Sequence, residues 1–166
     1  MSGVKWVEME IDSARDSHEP VLVEEILFWL QCKPGGVYVD CTLGYAGRAA
    51  RLLDRTAPDG ILVGIDRDAA ALAESQMRLR EVAHRVHFRH GNFCDLKALS
   101  MGSGVSPVGG VIFDLGVSSP QLDRAERGFS FREDGPLDMR MDQREGRTAA
   151  DLVRDLPETE LADLIY

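Results

Sequence analysis

Apolar positions along the chain predict helices and strands in alternation. The segment VLVEEILFWL, residues 21–30, has its apolar residues on one helical face and two glutamates opposite. The short apolar runs VYVD (37–40) and ILVGID (61–66) are typical of buried strands. Between them, GRAARLLDR (47–55) is rich in helix formers. The order is therefore strand, glycine-containing turn, helix, strand.

The same alternation continues towards the fourth strand. It comprises a helix over 68–82 with Asp68 as its N-cap, a strand and turn over 86–93, a short helix over 97–101 and a strand over 111–115. Alternation of this kind predicts an α/β fold in which a parallel sheet is covered by helices on both faces. In such Rossmann-like sheets, ligands bind at the carboxyl ends of the strands.

The pattern changes at FDLGVSSPQLDRAERGFSFREDGPLDMRMD, residues 113–142, which has no evident helix or strand period. Beyond it, Thr148 can cap a helix over 149–156, and Pro157 starts a further helical segment. Four strands make a thin sheet for this architecture. The sequence therefore predicts an incomplete sheet, the front portion of a larger protein, preceded by a flexible leader over residues 1–17.

Charge and hydropathy restrict the classes of function. A net charge of -9 argues against bulk electrostatic attraction to nucleic acid, so any such role must be local. There is neither an apolar run of membrane-spanning length nor a secretory or transit signal, which predicts a cytoplasmic protein without membrane association.

Cysteines and histidines do not predict a metal site. Cys32, Cys41 and Cys94 are widely spaced and form no C-x-x-C pair, so they are interpreted as reduced structural thiols. The histidines of HRVHFRH, residues 84–90, lie three apart. On a strand that spacing points them to opposite faces, so they cannot converge on one ion.

The turn after the first strand is the first candidate ligand site. In YVDCTLGYAGRAA, residues 38–50, a glycine turn leads from a strand into a helix N-terminus, which offers unpaired N–H groups. It matches neither G-x-G-x-x-G nor a Walker A loop. Asp40 would repel a pyrophosphate but suits a zwitterionic sulfonium ligand, which favours S-adenosylmethionine. Asp66 follows about twenty residues after the turn, where a carboxylate can accept from both ribose hydroxyls.

Two further strand ends carry candidate residues. Phe93 follows the third strand and can pack on an adenine ring, and Asp114 ends the fourth strand in the same crevice. Each residue also has a structural interpretation: Asp66 can cap a helix, Asp40 can bond the turn amides, and Phe93 can belong to the core. Their joint placement at successive strand ends favours a ligand site.

Several long motifs together resemble one family. DLGVSSPQLD, ERGFSF and DGPLDMRMD, with HEPVLVEEIL and YVDCTLG, resemble the bacterial RsmH (MraW) family from His18 to about Leu164. Members of that family methylate N4 of a cytidine in the decoding centre of 16S ribosomal RNA, using S-adenosylmethionine. The resemblance implies the class I methyltransferase sheet over residues 18–147. It also implies an inserted helical domain that starts at 148–166.

The resemblance also implies a set of site residues. Cofactor contacts are expected from Ala46, Gly47, Arg48, Asp66, Phe93, Asp114 and Gln121. The family usually has Gly-Gly-His where this chain has Ala46-Gly47-Arg48. The implied partner is 16S rRNA within the small ribosomal subunit, and a homodimer is left open.

The catalytic hypothesis concerns the start of the long loop. Asp114 is expected to contact the target amine or the methionyl end of the cofactor, with Ser118 and Ser119 lining the target pocket. Further along the loop, stacking and phosphate contacts to RNA are one interpretation of a set of aromatic and basic residues, namely Phe129, Phe131, Arg127, Arg132 and Arg140. The other interpretation is a structural lid whose arginines pair with neighbouring acids.

Two alternative functions stay open at this point. One is a non-catalytic fragment that binds S-adenosylmethionine without transferring its methyl group. The other is a different Rossmann-type enzyme that uses NAD, which the glycine spacing disfavours.

Overall fold

The computed structural model describes residues 21–101, 104 and 107–165. Its strands are β1 (Val37–Asp40), β2 (Ile61–Asp66), β3 (Val86–His90) and β4 (Gly110–Ile112). Its α-helices are α1 (Val23–Trp29), α2 (Gly47–Arg55), α3 (Ala69–Arg78), α4 (Leu96–Met101), α5 (Ser119–Asp123), α6 (Ala149–Asp155) and α7 (Glu158–Ile165). Three short 3₁₀ segments are Arg80–Arg85, Phe93–Asp95 and Ala125–Arg127. The leader predicted over residues 1–17 lies outside the described residues.

The four strands form one parallel sheet in the order β3-β2-β1-β4. Helices α1, α2 and α3 cover one face, where Leu27, Leu52 and Leu72 join a single apolar cluster. The opposite face carries a smaller cluster around Val63 and Ile65, against which α4 packs. The predicted Rossmann-like α/β sheet with helices on both faces is thus confirmed. Among the described residues, no helix is long and apolar enough to cross a membrane.

Several element boundaries differ from the prediction. Helix α1 begins at Val23 rather than residue 21, because Leu22 has a left-handed φ of 58°. Helix α3 ends at Arg78, and the chain then tightens into the 3₁₀ segment that leads to Arg85. The buried Arg85 guanidinium donates to Leu53 O (2.6 Å) and Gly60 O (2.8 Å), so it stabilises the carboxyl-terminal end of α2.

Strand β4 also differs, since it covers Gly110–Ile112 and not residues 111–115. Its last ladder contact is the bond from Cys41 N to Ile112 O, at 2.9 Å. After that, Asp114 N donates to the Thr42 hydroxyl rather than to a neighbouring strand. Asp114 therefore lies just beyond the strand, in the crevice.

The long loop over 113–142 is more structured than its sequence pattern predicts, because it contains α5 and a 3₁₀ turn. It is also closely packed on itself. A Cβ at Gly128 would lie 2.3 Å from Pro136 O, and one at Gly135 would lie 2.1 Å from Ala125 O. Two glycines thus allow two backbone segments to cross where side chains have no space.

Replacing Gly128 by alanine is expected to destabilise the fold by about 1–3 kcal/mol more than the same change at Gly146. Both glycines have left-handed φ values, 73° and 80°, so both variants carry similar backbone strain. Only Gly128 has backbone atoms in the space of the added methyl group, since nothing lies within 4 Å of that position at Gly146. Urea unfolding of both variants measures the difference, and equal losses of stability would contradict the close packing.

Candidate functional site

The turn between β1 and α2 brings backbone N–H groups to the end of the sheet. Leu43 N bonds to Ile65 O at 3.0 Å, which fixes the turn against β2. Gly44 and Ala46 have left-handed φ values of 54° and 60°, and Ala46 is fully buried immediately before α2. A buried alanine held at positive φ is strained, and strain of this kind concentrates at functional sites.

Asp66 ends β2 and orders this turn. Its Oδ2 accepts a hydrogen bond from Gly44 N (2.7 Å), and its Oδ1 accepts one from Asp68 N (2.8 Å). Burial raises the pKa of Asp66, although the same two N–H groups oppose that effect. A carboxylate has about four acceptor sites, so Asp66 can accept a further bond from a ligand. The structure therefore assigns Asp66 a local backbone role, and its ribose contact stays a prediction.

Asp40 is a buried carboxylate with unused acceptor capacity. Its Oδ1 accepts from Thr42 N at 3.0 Å, whereas its Oδ2 is buried without a hydrogen-bond partner. Burial raises the pKa of Asp40 to about 6, against the lowering effects of the Thr42 N–H and the Arg48 charge. A buried oxygen without a partner is costly, so a donor group of a ligand would relieve this cost.

The raised pKa of Asp40 predicts a pH dependence of stability. Because the folded state holds the Asp40 proton to a higher pH than the unfolded chain does, this group destabilises the fold as pH rises from about 4 towards 6 and above. Asp40→Asn keeps the Thr42 bond but cannot ionise. Relative to the unmodified protein, the variant is expected to gain about 2 kcal/mol of unfolding free energy between about pH 4.5 and 7.5. Urea unfolding at both pH values checks this, and a constant difference would contradict it.

Arg48 and Asp114 meet across the crevice. Arg48 Nη1 lies 2.5 Å from Asp114 Oδ2, with Arg48 mostly buried and Asp114 half exposed. Thr42 links Asp114 to the turn, since its hydroxyl accepts from Asp114 N at 2.8 Å. The arginine that stands in place of the family's usual histidine thus neutralises the proposed catalytic carboxylate. Sequence reasoning missed Thr42, for which the Asp-x-Thr spacing from Asp40 is the only signal.

Phe93 lies at the start of the turn after β3 and contacts Phe113, which follows β4. Their rings are edge to face, with centroids 5.6 Å apart. Because β3 and β4 lie at opposite edges of the sheet, this contact spans the ends of β2 and β1. Both rings are more than one-third exposed, so both can contact a ligand at these strand ends. Sequence reasoning did not identify Phe113.

Gln121 and Ser118 belong to one hydrogen-bonded turn. The Gln121 side chain is buried; its Oε1 accepts from Ser118 N (2.9 Å) and its Nε2 donates to Asp68 Oδ2 (2.8 Å). Ser118 is the N-cap of α5 and Ser119 its first residue, and both are half-buried. The structure thus assigns Gln121 a bridging role, and its cofactor contact stays a prediction.

The arginines of the long loop differ in their surroundings. Arg127 is only 4% exposed and pairs with Asp68, which supports the structural-lid interpretation and contradicts a phosphate contact in this arrangement. Arg140 is half-buried and pairs with Asp138 through two bonds of 2.7 and 2.9 Å. By contrast, Phe131 is 96% exposed and Arg132 beside it is also exposed. These two remain the candidates for RNA contact.

His90, the last residue of β3, contacts the end of the long loop. Its ring lies 3.1 Å from the buried Asp142 Oδ2, and Asp142 also accepts two hydrogen bonds from the Arg144 guanidinium. The Arg144 bonds hold the pKa of Asp142 at about 2. Within the described part of the chain, no cluster of three or more histidine, cysteine or acidic side chains could hold a metal ion.

Comparison with known proteins supports the same conclusion as the motifs. The sequence signature of the MraW methylase family matches residues 15–166. The chain belongs to the MraW methylase family. The small-subunit rRNA methyltransferase H of Geobacter sulfurreducens is 52% identical over 149 residues, which are 90% of this chain and 48% of that protein. The homologue from Syntrophotalea carbinolica is 51% identical, over 87% of this chain and 46% of its own length.

Membership of the MraW family identifies S-adenosylmethionine as the methyl donor used by related proteins. This chain spans about half the length of the curated MraW relatives that it matches. Among solved structures, an S-adenosylmethionine-dependent O-methyltransferase from Thermotoga maritima gives a TM-score of 0.41 at 16% identity. The match covers 44% of this chain and 28% of the Thermotoga maritima chain. No functional conclusion rests on that distant likeness.

Proposed function

We propose that the carboxyl ends of the four strands bind S-adenosylmethionine. The observation that carries the proposal is a group of polar atoms at the strand ends that can form further hydrogen bonds. Asp40 Oδ2 and Arg48 Nε are buried without a hydrogen-bond partner, and the Asp66 carboxylate can accept more bonds than it does. These groups fit a ligand with an ammonium group, a ribose diol and a carboxylate. Asp66 would hold the ribose, Arg48 and the turn over 44–47 the methionyl end, and Phe93 the adenine.

The proposed reaction is N4-methylation of a cytidine in the decoding centre of 16S ribosomal RNA. When bound, S-adenosylmethionine supplies an electrophilic methyl group on its sulfonium. The exocyclic amine of cytosine is a weak nucleophile because its lone pair is delocalised into the ring. Asp114 would accept hydrogen bonds from the amine and take up a proton as the new bond forms, while the loop holds the base in line.

Arg48 adjusts the electrostatics of this step. Its guanidinium pairs with the Asp114 carboxylate in the ligand-free protein. Ser118 and Ser119 would line the target pocket at the start of α5. The pair fixes the position of the Asp114 carboxylate in the crevice before the base enters. Arg48 must also turn towards the cofactor when that binds, which leaves Asp114 free to accept from the amine.

RNA binding is proposed to be local and to use the exposed loop tip. Phe131 and Arg132 can stack on a splayed base and contact a phosphate, as single-stranded RNA recognition requires. The acidic overall charge argues against a broad electrostatic surface for RNA. Residues 148–166 are proposed to begin an inserted helical domain, since α6 and α7 have no buried residue and expose Val153, Leu164 and Ile165.

Methyl transfer to small ribosomal subunits tests the proposal. The protein is incubated with methyl-labelled S-adenosylmethionine and small subunits from cells that lack the modification, and the labelled nucleotide is mapped by mass spectrometry. Label on N4 of one decoding-centre cytidine is the expected result. Binding of S-adenosylmethionine without transfer would instead favour the non-catalytic alternative.

A further inference from the structure

A buried polar cluster joins the start of α3 to the long loop. We call its members, Asp68, Gln121 and Arg127, the Asp68 cluster; their exposed fractions are 3%, 5% and 4%. Burying a charged pair is costly unless both partners are fully hydrogen-bonded. A buried ion pair is therefore weak evidence for a role in stability alone, and a role in specifying one arrangement of the chain has to be considered.

Asp68 uses its two carboxylate oxygens for different purposes. Oδ1 caps α3 by accepting from Ala70 N at 2.9 Å. Oδ2 accepts from Gln121 Nε2 at 2.8 Å and from Arg127 Nη1 at 2.6 Å. Burial on its own raises the pKa of Asp68, but the bonds from Gln121 and Arg127 lower it overall. One oxygen of the Asp68 carboxylate thus caps α3, and the other oxygen binds the long loop.

Arg127 holds both limbs of the loop together. Its Nη2 donates to Arg140 O (3.1 Å) and Met141 O (3.0 Å), and its own carbonyl accepts from Met139 N (3.0 Å). The guanidinium also lies over the Phe129 ring, 5.9 Å from its centroid. The Arg127 side chain therefore connects the part of the loop before its tip at Phe131 to the part after it.

The Asp68 cluster connects directly to the proposed cofactor site. Asp68 N donates to Asp66 Oδ1 at 2.8 Å, and Asp66 Oδ2 accepts from Gly44 N in the turn after β1. A continuous series of hydrogen bonds thus runs from the glycine turn through Asp66 and Asp68 to Arg127. Hydrogen-bond networks of this kind can carry energetic coupling between two sites.

We propose that Arg127 and Asp68 are positioning residues for the RNA substrate. They hold residues 125–142 against the carboxyl end of β2, so that the wall of the target pocket is fixed relative to the cofactor acid. This inference rests on the proposed function, because it assigns a role in placing the base that the enzyme methylates. Neither side chain contacts substrate itself, since both are buried.

Two variants separate this role from helix capping. Asp68→Asn keeps an oxygen that caps α3, because asparagine is as good an N-cap as aspartate. The substitution replaces the carboxylate that accepts from Arg127 by a neutral amide. Arg127→Met keeps apolar bulk and removes the three hydrogen bonds of the guanidinium. The matched controls are Asp155→Asn and Arg147→Met, which break an exposed ion pair of 2.8 Å between the last residue of α6 and the chain just before it.

Hydrogen exchange and steady-state kinetics are measured on the same proteins. In both cluster variants, amide exchange over residues 125–142 is expected to rise by about tenfold or more, with β1 and β2 unchanged. The KM for small subunits is expected to rise by about tenfold or more, while the Kd of S-adenosylmethionine changes by less than about threefold. The double variant is expected to lose less than the sum of the two single variants, because both of these remove the same bond between Asp68 and Arg127.

The outcomes distinguish the inference from the function on which it rests. If the unmodified protein transfers methyl groups and both variants keep its KM and its loop exchange, the positioning role is wrong. If exchange rises equally in β1, β2 and the loop, the Asp68 cluster serves general stability and the positioning role is also wrong. If the unmodified protein transfers no methyl group to RNA, the proposed function itself fails.

Discussion

Replacing Asp114 by alanine is expected to lower the turnover number for methyl transfer by about 10²–10⁴-fold, the range that a positioned proton acceptor contributes. The carboxylate lies just beyond β4 and is half exposed, so it can reach a base that enters the crevice. Asp114→Asn should retain part of the activity, because an amide oxygen still accepts a hydrogen bond but is a far weaker base. Single-turnover assays with small subunits measure the rate of the chemical step.

A matched control for Asp114 is Asp123→Ala, an exposed aspartate at the end of α5. It should leave turnover unchanged. Arg48 loses its anionic partner in Asp114→Ala, so thermal unfolding must show that the variant is folded before its rate is interpreted. Turnover within about threefold of the unmodified protein would remove Asp114 from the chemical step, since the expected loss is at least about 10²-fold.

Replacing Asp66 by alanine is expected to weaken S-adenosylmethionine binding by about 10²-fold or more. Two losses combine: the acceptor for the ribose hydroxyls, and the anchor that holds Gly44 N in the turn. Hydrogen bonds to a charged group contribute about 1.5–3 kcal/mol each, and that value sets the expected size. Calorimetric titration gives the Kd of each variant.

The exposed Asp163 on α7 provides the control for Asp66, and Asp163→Ala should bind as the unmodified protein does. The Kd of Asp66→Asn is expected to lie between those of Asp66→Ala and Asp163→Ala. The side-chain nitrogen of asparagine is a donor, and it would face one of the two backbone N–H groups that now donate to Asp66. An unchanged Kd for Asp66→Ala would place the ribose elsewhere.

Local patterns were sufficient to predict the sheet and the strand ends that carry Asp40 and Asp66. Short apolar runs bounded by glycine and charged residues have few alternatives to a buried parallel strand. The end of β4 was predicted wrongly because Phe113 and Leu115 continue the apolar run. In the structure, these two side chains are 49% and 68% exposed, and the chain has already left the sheet.

The contacts that organise the loop could not be predicted from local pattern. Arg127 and Gln121 bond to Asp68 across 59 and 53 positions of the chain, and Arg48 bonds to Asp114 across 66. Nothing in the sequence near any of these residues identifies its partner. Asp68 itself was predicted only as a helix cap, which the structure confirms, whereas its second oxygen has a role that depends on tertiary structure.

Calorimetric titration of the 166-residue protein shows whether its strand ends form a site for S-adenosylmethionine. We expect saturable binding of one S-adenosylmethionine per chain, weakened in Asp66→Ala and unchanged in Asp163→Ala. We expect no comparable heat with NAD, because the glycine turn lacks the spacing that binds a pyrophosphate. No binding of S-adenosylmethionine, or equal binding of NAD, would show that the strand ends are not such a site.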